Sequence, residues 1–244
     1  MFRNASCSIS DFISKLGTVR GRVNCTGLSG GERGYFLRRV CEKSRTPLLV
    51  VCANPKEMEG LSEDLRFFES NGEAPVISLQ PYNGTPVKSL SYDVQPTCRR
   101  IEALYRILNI SRPPIVITTV TGLMERLMPK VVLSTYPEYI MAGEELDRDA
   151  LIEKLIEGGY QRTTLVEELG DYAVRGALID VFPPMAPDPV RIEFDGDMVD
   201  SIRVFSAQNQ LSLKTIHELV LLPAVETIPT PLELPAIAER IRKQ

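Results

Sequence analysis

The first half of the chain alternates short apolar runs with segments in which apolar residues recur every three or four positions. The runs are rich in Val, Ile and Leu and lie at 46–54, 74–81 and 113–120. All three predict strands, and the first and third predict strands that are buried on both faces. Alternation of strands and helices is typical of a mainly parallel sheet covered by helices, so we expect an α/β region here.

Three segments beside these runs predict helices. The segment 55–70 is predicted to be amphipathic, 93–109 places its apolar residues on one helical face, and 121–128 is short. The apolar positions are Met58, Leu61, Leu65 and Phe68 in the first segment, and Ile101, Leu104, Tyr105 and Leu108 in the second. We expect helices of this kind to cover the predicted sheet.

The pattern changes near Pro129, where one predicted helix is followed by short segments separated by turn residues. Asp147 is the expected N-cap of this helix, and Gly158 and Gly159 are its expected end. The apolar stripe of the helix is predicted at Leu151, Ile152, Leu155 and Ile156. This change in the sequence pattern indicates a second module.

The segment VRIEF shows the period-two alternation of the second module. Val190, Ile192 and Phe194 are predicted on a buried face, and Arg191 and Glu193 on a face toward water or a partner. Several such segments indicate a small antiparallel sheet. The predicted fold class is therefore an α/β region with an appended α+β module that contains this sheet.

Composition and charge narrow the possible functions. Hydrophobic residues make up 43% of the chain and charged residues 25%, and the net charge is −4 with a pI near 5.3. This acidic balance disfavours a broad nucleic-acid-binding surface. The five cysteines are scattered and His217 is the single histidine, so we expect reduced thiols and no metal site. Without a spanning apolar run or a secretory signal, we expect a cytoplasmic protein with no membrane partner.

The stretch NCTGLSGGERGYFL raises the question of a nucleotide-binding loop. A phosphate loop reads G-x-x-x-x-G-K-[ST]: backbone N–H groups cradle the phosphates, the lysine neutralises them, and Ser or Thr holds magnesium. Here Gly31 is followed by Glu32 and Arg33, and Gly27 is one residue too close to Gly31. We predict that the degenerate loop, with Gly27, Gly30, Gly31, Glu32 and Arg33, binds no ATP. We expect no catalytic residue and no cofactor in this chain.

The segment from Gly159 to Ser212 resembles a module shared by the excision-repair helicase UvrB and the transcription-repair coupling factors. The motif runs G-Y-x-R and then G-x-[FY]-A-x-R-G-x-[IL]-[IL]-D-[IVL]-F-P. This chain reads GYQR and GDYAVRGALIDVFP, and the segments RIEF and IRVF follow. Residues 98–108 and 114–129 resemble the helix and strand that precede the module, so the likeness covers nearly all of the chain.

The glycine-rich loop separates the two relatives. UvrB keeps a Gly-Lys-Thr loop and hydrolyses ATP, whereas the coupling factors resemble UvrB in this region but have lost the catalytic residues of the loop. The chain is therefore identified as similar to the N-terminal, UvrB-like region of the coupling factors, the Mfd family. Its loop resembles a relic that still joins a strand to a helix.

The resemblance implies three parts and a partner. A degenerate ATPase-like α/β domain would span 1–126, an inserted α+β UvrA-binding module 127–214, and the start of the returning α/β segment 215–244. The module would recruit UvrA, the damage-recognition ATPase, to stalled RNA polymerase sites. We expect the chain to be a segment of a longer ATP-dependent DNA translocase. Other domains of that protein would use ATP and magnesium and bind RNA polymerase and double-stranded DNA, and the segment could also contact the rest of its own chain.

Two arginines carry over by motif as contacts to UvrA. Arg162 occupies the arginine of G-Y-x-R, and Arg175 occupies that of R-G-x-[IL]-[IL]-D. UvrB has a third basic residue where this chain has Ala173. An arginine fork can bind a partner carboxylate through two hydrogen bonds, which suits a protein interface. The lesser candidates from the same region are Phe182, Arg191 and Arg203.

These residues also have structural interpretations. Arginines on exposed strands often pair with a carboxylate for less than about 1 kcal/mol. Arg191 beside Glu193, and Arg203 near Asp200, could be such pairs. Phe182 could equally be a core residue.

Other polar and glycine residues are expected to be structural. Asp180 has no partner base and is predicted to make a structural hydrogen bond. Gly170 and Gly176 are expected in turns or bulges. The basic residues in 32–39 and 97–106 are expected on solvated helix faces, with a residual DNA path as the alternative.

Two other functions stay open at this point. A UvrB-type ATP-dependent helicase lobe would bind nucleotide at Gly27 to Arg33. A DNA-contacting repair protein would need the long aromatic-rich hairpin of UvrB. We expect no such insertion between 89–95 and the helix that carries Arg99.

Overall fold

The structure is a computed structural model that describes residues 9–16, 21–69, 74–82, 94–228, 239 and 242. The chain divides into two compact units, residues 1–82 with 106–125 and residues 83–105 with 126–244. The predicted domain boundaries at 126 and 214 stay a prediction. The expected lack of a long hairpin concerns 83–93, which lie outside the described residues. Over the described ranges, no helix has the length and apolar character that crossing a bilayer requires.

The first unit contains a parallel sheet and several helices. Its strands are β1 (Leu48–Cys52), β2 (Val76–Leu79) and β3 (Ile115–Thr119). Its helices are α1 (Ile9–Leu16), α2 (Glu32–Ser44), α3 (Pro55–Phe67) and α5 (Val120–Met124), together with the last residues of α4 (Val94–Asn109). Strand β3 pairs in parallel with β1 on one side and with β2 on the other. The predicted combination of helices and strands is confirmed.

The core of the first unit lies between one face of the sheet and helices α2 and α3. Its buried residues are Cys41, Cys52, Met58, Leu61, Leu65, Ile115 and Ile117. Helix α3 begins after Asn54, whose side-chain oxygen accepts the backbone N–H of Glu57 at 2.9 Å, and Pro55 occupies its first turn. The amphipathic helix predicted over 55–70 is therefore confirmed.

Strand β1 is only partly buried, which contradicts the prediction of a strand covered on both faces. Leu49 is 59% exposed and Val51 is 44% exposed. The reason is position, because β1 lies at the edge of the described three-stranded sheet and only alternate residues face the core. The resemblance implied a strand before the glycine-rich loop, and the described residues 21–31 contain none.

Two arginines that were predicted on solvated helix faces are buried. Arg38 of α2 donates from Nε to the carbonyl of Leu65 at 2.9 Å and from Nη1 to the carbonyl of Ala74. Arg100 of α4 lies with its Nε 2.5 Å from a carboxylate oxygen of Glu226. A buried guanidinium needs such acceptors, because otherwise its lost hydration would not be replaced.

The second unit contains a six-stranded sheet and a separate strand pair. The strands are β4 (Glu138–Met141), β5 (Gln161–Arg162), β6 (Asp171–Arg175), β7 (Leu178–Val181), β8 (Val190–Asp195), β9 (Met198–Phe205), β10 (Ser212–Ile216) and β11 (Glu218–Leu221). The helices are α6 (Lys130–Thr135) and α7 (Arg148–Glu157), together with the first part of α4. The large sheet has the order β10-β9-β8-β7-β6-β5 and is antiparallel except for the β5–β6 pair. Strands β4 and β11 form the antiparallel pair.

The small antiparallel sheet predicted for this half of the chain is confirmed, and so is the alternation in β8. Val190, Ile192 and Phe194 are buried in the core of the second unit, while Arg191 and Glu193 are partly exposed on the opposite face. Helix α6 and strand β4 were not predicted. Their segment lacks both a long periodic stripe and a clear alternation.

Helix α7 packs against the core of the second unit. Asp147 caps it as predicted, because its carboxylate accepts two backbone N–H groups of the first turn, both at 2.9 Å. Leu151 and Leu155 are buried, whereas Ile156 is 59% exposed, so its place in the predicted stripe is wrong. Successive side chains on a helix point about 100° apart, so Ile156 points away from the core that Leu155 contacts.

Gly34 gives a stability test of the first unit. A Cβ at Gly34 would lie 2.7 Å from the Cβ and 3.0 Å from the carbonyl carbon of Asp64, so α2 and α3 meet here at backbone distance. We expect Gly34→Ala to lower the free energy of unfolding by about 1–3 kcal/mol, because one helix must move. Urea denaturation of the purified chain measures this change.

Gly60→Ala is the matched control for this test. Gly60 lies in α3, and a Cβ there would have no atom within 4 Å. We expect this substitution to raise the free energy of unfolding by up to about 1 kcal/mol through helix propensity. A Gly34→Ala variant as stable as Gly60→Ala would contradict the close helix contact.

Candidate functional site

The glycine-rich loop of the first unit uses three of its own backbone N–H groups in hydrogen bonds within the chain. Gly27 and Gly30 have φ of +90° and +51°, which favour glycine. The N–H of Ser29 donates to the carboxylate of Glu32 at 3.2 Å. The N–H groups of Glu32 and Arg33 donate to carbonyls of Ser29 and Gly30, also at 3.2 Å. Three N–H groups of the turn are therefore already in use within the chain.

The arginine of this loop is also engaged. Arg33 Nη1 lies 2.6 Å from a carboxylate oxygen of Glu57, whose other oxygen accepts the N–H of Ala53 at 3.1 Å. The Ala53 N–H, and then the hydrogen bond and charge of Arg33, lower the pKa of the Glu57 carboxyl. The charge of Arg33 is thus paired with an acid inside the same unit.

A second cluster of charged residues lies on the six-stranded sheet of the second unit. The register places Asp180 opposite Ala173 and Arg191, and Arg191 opposite Arg203. Residues in register project from the same face, and their chain neighbours Ile179 and Ile192 point into the core. The charged face is therefore the one turned away from that core. We call Arg175, Asp180, Arg191, Glu193 and Arg203 the arginine cluster.

Asp180 is the centre of the arginine cluster and is 1% exposed. Its carboxylate accepts two hydrogen bonds from Arg191, from Nε at 2.7 Å and from Nη2 at 2.9 Å. It also accepts a hydrogen bond from Nη2 of Arg175, whose side chain is 46% exposed. The prediction that Asp180 makes structural hydrogen bonds is confirmed.

Arg191 is held on two sides. Its side chain is 19% exposed, and its guanidinium carbon lies 4.8 Å from the centre of the Phe205 ring. The hydrogen bonds to Asp180, more than its charge, raise the pKa of the Arg191 guanidinium. The suggested pair with Glu193 is wrong, because the directly opposite residue of the next strand, Asp180, is nearer than a neighbour two residues along the same strand.

Arg203 forms the outer part of the arginine cluster. Its Nη2 bonds the carboxylate of Glu193, and Ser201 donates to the same carboxylate at 3.1 Å. The suggested partner Asp200 is therefore wrong, since an odd spacing along a strand places two side chains on opposite faces. Arg191 and Arg203 are like charges in direct register, and each is offset by its own carboxylate.

Arg162 lies on the short edge strand β5, away from the arginine cluster. It is in register with Tyr172, which is buried in the core, so it does not share the face of Arg175. Its side chain is exposed, and no hydrogen bond or ion pair with another described residue engages it. The structure thus places Arg162 and Arg175 on the paired strands β5 and β6, but on different sides of them.

Phe182 and Ala173 belong to a small apolar cluster on the same face as the arginine cluster. Phe182 is half-buried and packs with Val166, Ala173 and Phe205. Ala173 is 2% exposed, so the position that is basic in UvrB holds a packed methyl group here. The core interpretation of Phe182 is supported, and its predicted contact with UvrA stays a prediction.

The central role of Asp180 and the contact of Arg191 with Phe205 were missed from the sequence. Part of the signal was present, because Gly176 was expected in a turn, and its φ of +57° in the two-residue turn between Arg175 and Leu178 agrees with that role. A two-residue turn at this position places Asp180 opposite Ala173. The pairing of β7 with β8 carries no comparable signal, because the connection between them is longer.

Comparison with known proteins agrees with the resemblance inferred from the motif. Residues 139–226 match the model of the UvrB interaction domain family. The chain is 34% identical over 231 residues to the transcription-repair-coupling factor of Myxococcus xanthus, which covers 90% of this chain and 19% of that protein. The factor of Escherichia coli is 30% identical over 199 residues, covering 82% of this chain and 17% of that protein.

A third relative gives the same picture. The transcription-repair-coupling factor of Bacillus subtilis is 27% identical over 215 residues, which covers 88% of this chain and 18% of that protein. The chain thus spans less than a fifth of the length of these relatives. Residues 139–226 thus match the UvrB interaction domain family, within a segment that is similar over most of its length to the transcription-repair-coupling factors.

Proposed function

We propose that this chain is a non-catalytic docking segment that recruits the excision-repair protein UvrA through exposed arginines of its UvrB interaction domain. The observation that carries the proposal is the half-exposed side chain of Arg175, whose Nη2 donates a hydrogen bond to the buried Asp180. Both residues lie within 139–226, the range that matches the domain family. A cation held at a surface in this way suits a partner carboxylate.

Arg162 supplies a second cation for the same partner. It is exposed and lies on β5, which pairs with β6 and its Arg175. A partner that meets both arginines would cover the edge of the sheet at β5 and reach the face that carries the arginine cluster. Arginine suits this role because its planar fork can bind a carboxylate with two hydrogen bonds.

We also propose that the first unit is ATPase-like but does not use ATP. Glu32 stands at the lysine position of a phosphate loop, and its carboxylate already accepts an N–H of the turn. Arg33 is paired with Glu57, so it offers no free charge for a phosphate. In this proposal, ATP, magnesium, RNA polymerase and DNA are bound by other parts of a longer protein of the coupling-factor type.

Binding to purified UvrA tests the docking proposal. We expect Arg162→Ala and Arg175→Ala each to weaken the affinity about thirtyfold, because truncating a central interface arginine often costs about 2 kcal/mol. Calorimetric titration at constant ionic strength measures this change. Arg66→Ala is the charge-matched control, because Arg66 is exposed on α3 of the first unit, and it is expected to leave the affinity within about twofold.

Salt dependence adds a second readout to this titration. The affinity of the unchanged chain is expected to fall as salt is added, and the Arg162→Ala/Arg175→Ala double variant should show a weaker dependence. If the double variant binds UvrA as tightly as the unchanged chain, the assigned surface is wrong.

Nucleotide titration tests the proposal for the loop. We expect no saturable binding of magnesium-ATP at micromolar concentration, because the lysine is missing and three N–H groups of the turn are occupied within the chain. UvrB, titrated under identical conditions, is the positive control. Saturable micromolar binding that is abolished by Gly30→Val would revive the helicase-lobe alternative.

A further inference from the structure

The carboxylate of Asp180 accepts hydrogen bonds from two guanidiniums of the arginine cluster, and it accepts more of them from one than from the other. Arg191 takes two of the three hydrogen bonds that reach Asp180, and Arg175 takes one. Three unit charges therefore meet at Asp180 with a net charge of +1. The excess positive charge is available to a partner only at the arginine whose remaining N–H donors face solvent.

Arg191 has few exposed N–H donors left for a partner. Its Nε and Nη2 face Asp180 in a two-point contact, and its guanidinium carbon lies 4.8 Å from the centre of the buried Phe205 ring. Its side chain is 19% exposed. Arg191 is thus fixed by the sheet and by its ring contact, whichever partner approaches.

Arg175, in contrast, uses one N–H donor within the chain and is more exposed. Only its Nη2 contacts Asp180, and no described residue accepts a hydrogen bond from its Nε or Nη1. It stands beside a two-residue turn at the end of β6, and nearly half of its side chain is exposed. Its tip is held at one nitrogen while its other donors remain available.

We infer that Asp180 and Arg191 are positioning residues of the docking surface, and that Arg175 is the guanidinium they present to a partner carboxylate. This inference rests on the proposed function for its consequence in binding, but the positioning itself is a property of the free chain. A guanidinium that is already held loses less conformational freedom on binding, so holding it raises affinity without adding a contact. The predicted direct contact of Arg191 with UvrA is replaced by this indirect role.

Side-chain relaxation of arginine Nε–H groups tests the positioning in the free chain. We expect Arg175 to be ordered in the unchanged protein and to become mobile in Asp180→Asn, with its order parameter falling below about 0.6. Arg162, which has no partner among the described residues, is the internal reference and is expected to be mobile in both proteins. An Arg175 as mobile as Arg162 in the unchanged chain would overturn the inference, and this comparison needs no variant to fold.

A thermodynamic cycle with UvrA tests the consequence for binding. Asp180→Asn is expected to weaken the affinity about threefold to tenfold in the unchanged background, and to have no further effect once Arg175→Ala is present. Arg191→Lys keeps the charge but loses the two-point contact with Asp180, so it is expected to weaken the affinity about twofold to fivefold and to have no further effect once Arg175→Ala is present. Loss of affinity on Asp180→Asn in the Arg175→Ala background, or an Arg191→Lys loss as large as that of Arg175→Ala, would overturn the inference.

The two experiments separate this inference from the docking proposal. If Arg175 is ordered through Asp180 but Arg175→Ala leaves UvrA binding unchanged, the positioning stands and the docking surface lies elsewhere. If Arg175→Ala weakens binding while Asp180→Asn leaves both order and affinity unchanged, the docking proposal stands and the positioning role is wrong.

Discussion

The burial of one carboxylate constrains the sheet of the second unit. Asp180 is almost out of contact with water, and a carboxylate at that depth is stable only among cations and hydrogen-bond donors. The strand register supplies them, with Arg191 directly opposite and Arg175 on the far side. A slip of one residue would turn Asp180 into the apolar core. The ion cluster and the hydrophobic core therefore require the same register, and that register sets where the exposed guanidinium lies.

The two units use charge in opposite ways. In the first unit, Glu32 and Glu57 occupy donors that a phosphate-binding turn would need to keep free. In the second unit, the two guanidiniums of Arg175 and Arg191 share the single carboxylate of Asp180, which leaves an excess of positive charge. Arg162 adds a further cation that has no partner among the described residues. A turn with three N–H groups and its arginine already engaged within the chain offers less to an anion, whereas a held arginine with a half-exposed side chain suits a carboxylate on another protein. This contrast supports a docking role over a nucleotide-binding one.

Periodicity in the sequence was sufficient for several elements and for the buried face of some of them. The three-to-four spacing predicted α3, and the period of two in VRIEF separated Ile192 from Arg191 correctly. Periodicity could not predict features that depend on contacts with residues far away in the sequence. The partner of Arg191 follows from the β7–β8 register, the exposure of Leu49 from the edge position of β1, and the burial of Arg38 from carbonyls 27 and 36 residues further along the chain. The motif predicted Arg162 and Arg175 as candidates, but not that they lie on different sides of their strands.

A structure of this chain bound to UvrA would show whether Arg175 is the docking contact. We expect a UvrA carboxylate about 3 Å from the free donors of Arg175, with the two hydrogen bonds from Arg191 to Asp180 kept and the edge of β5 covered. A complex in which UvrA binds another surface, with Arg162 and Arg175 still facing solvent, would contradict this expectation.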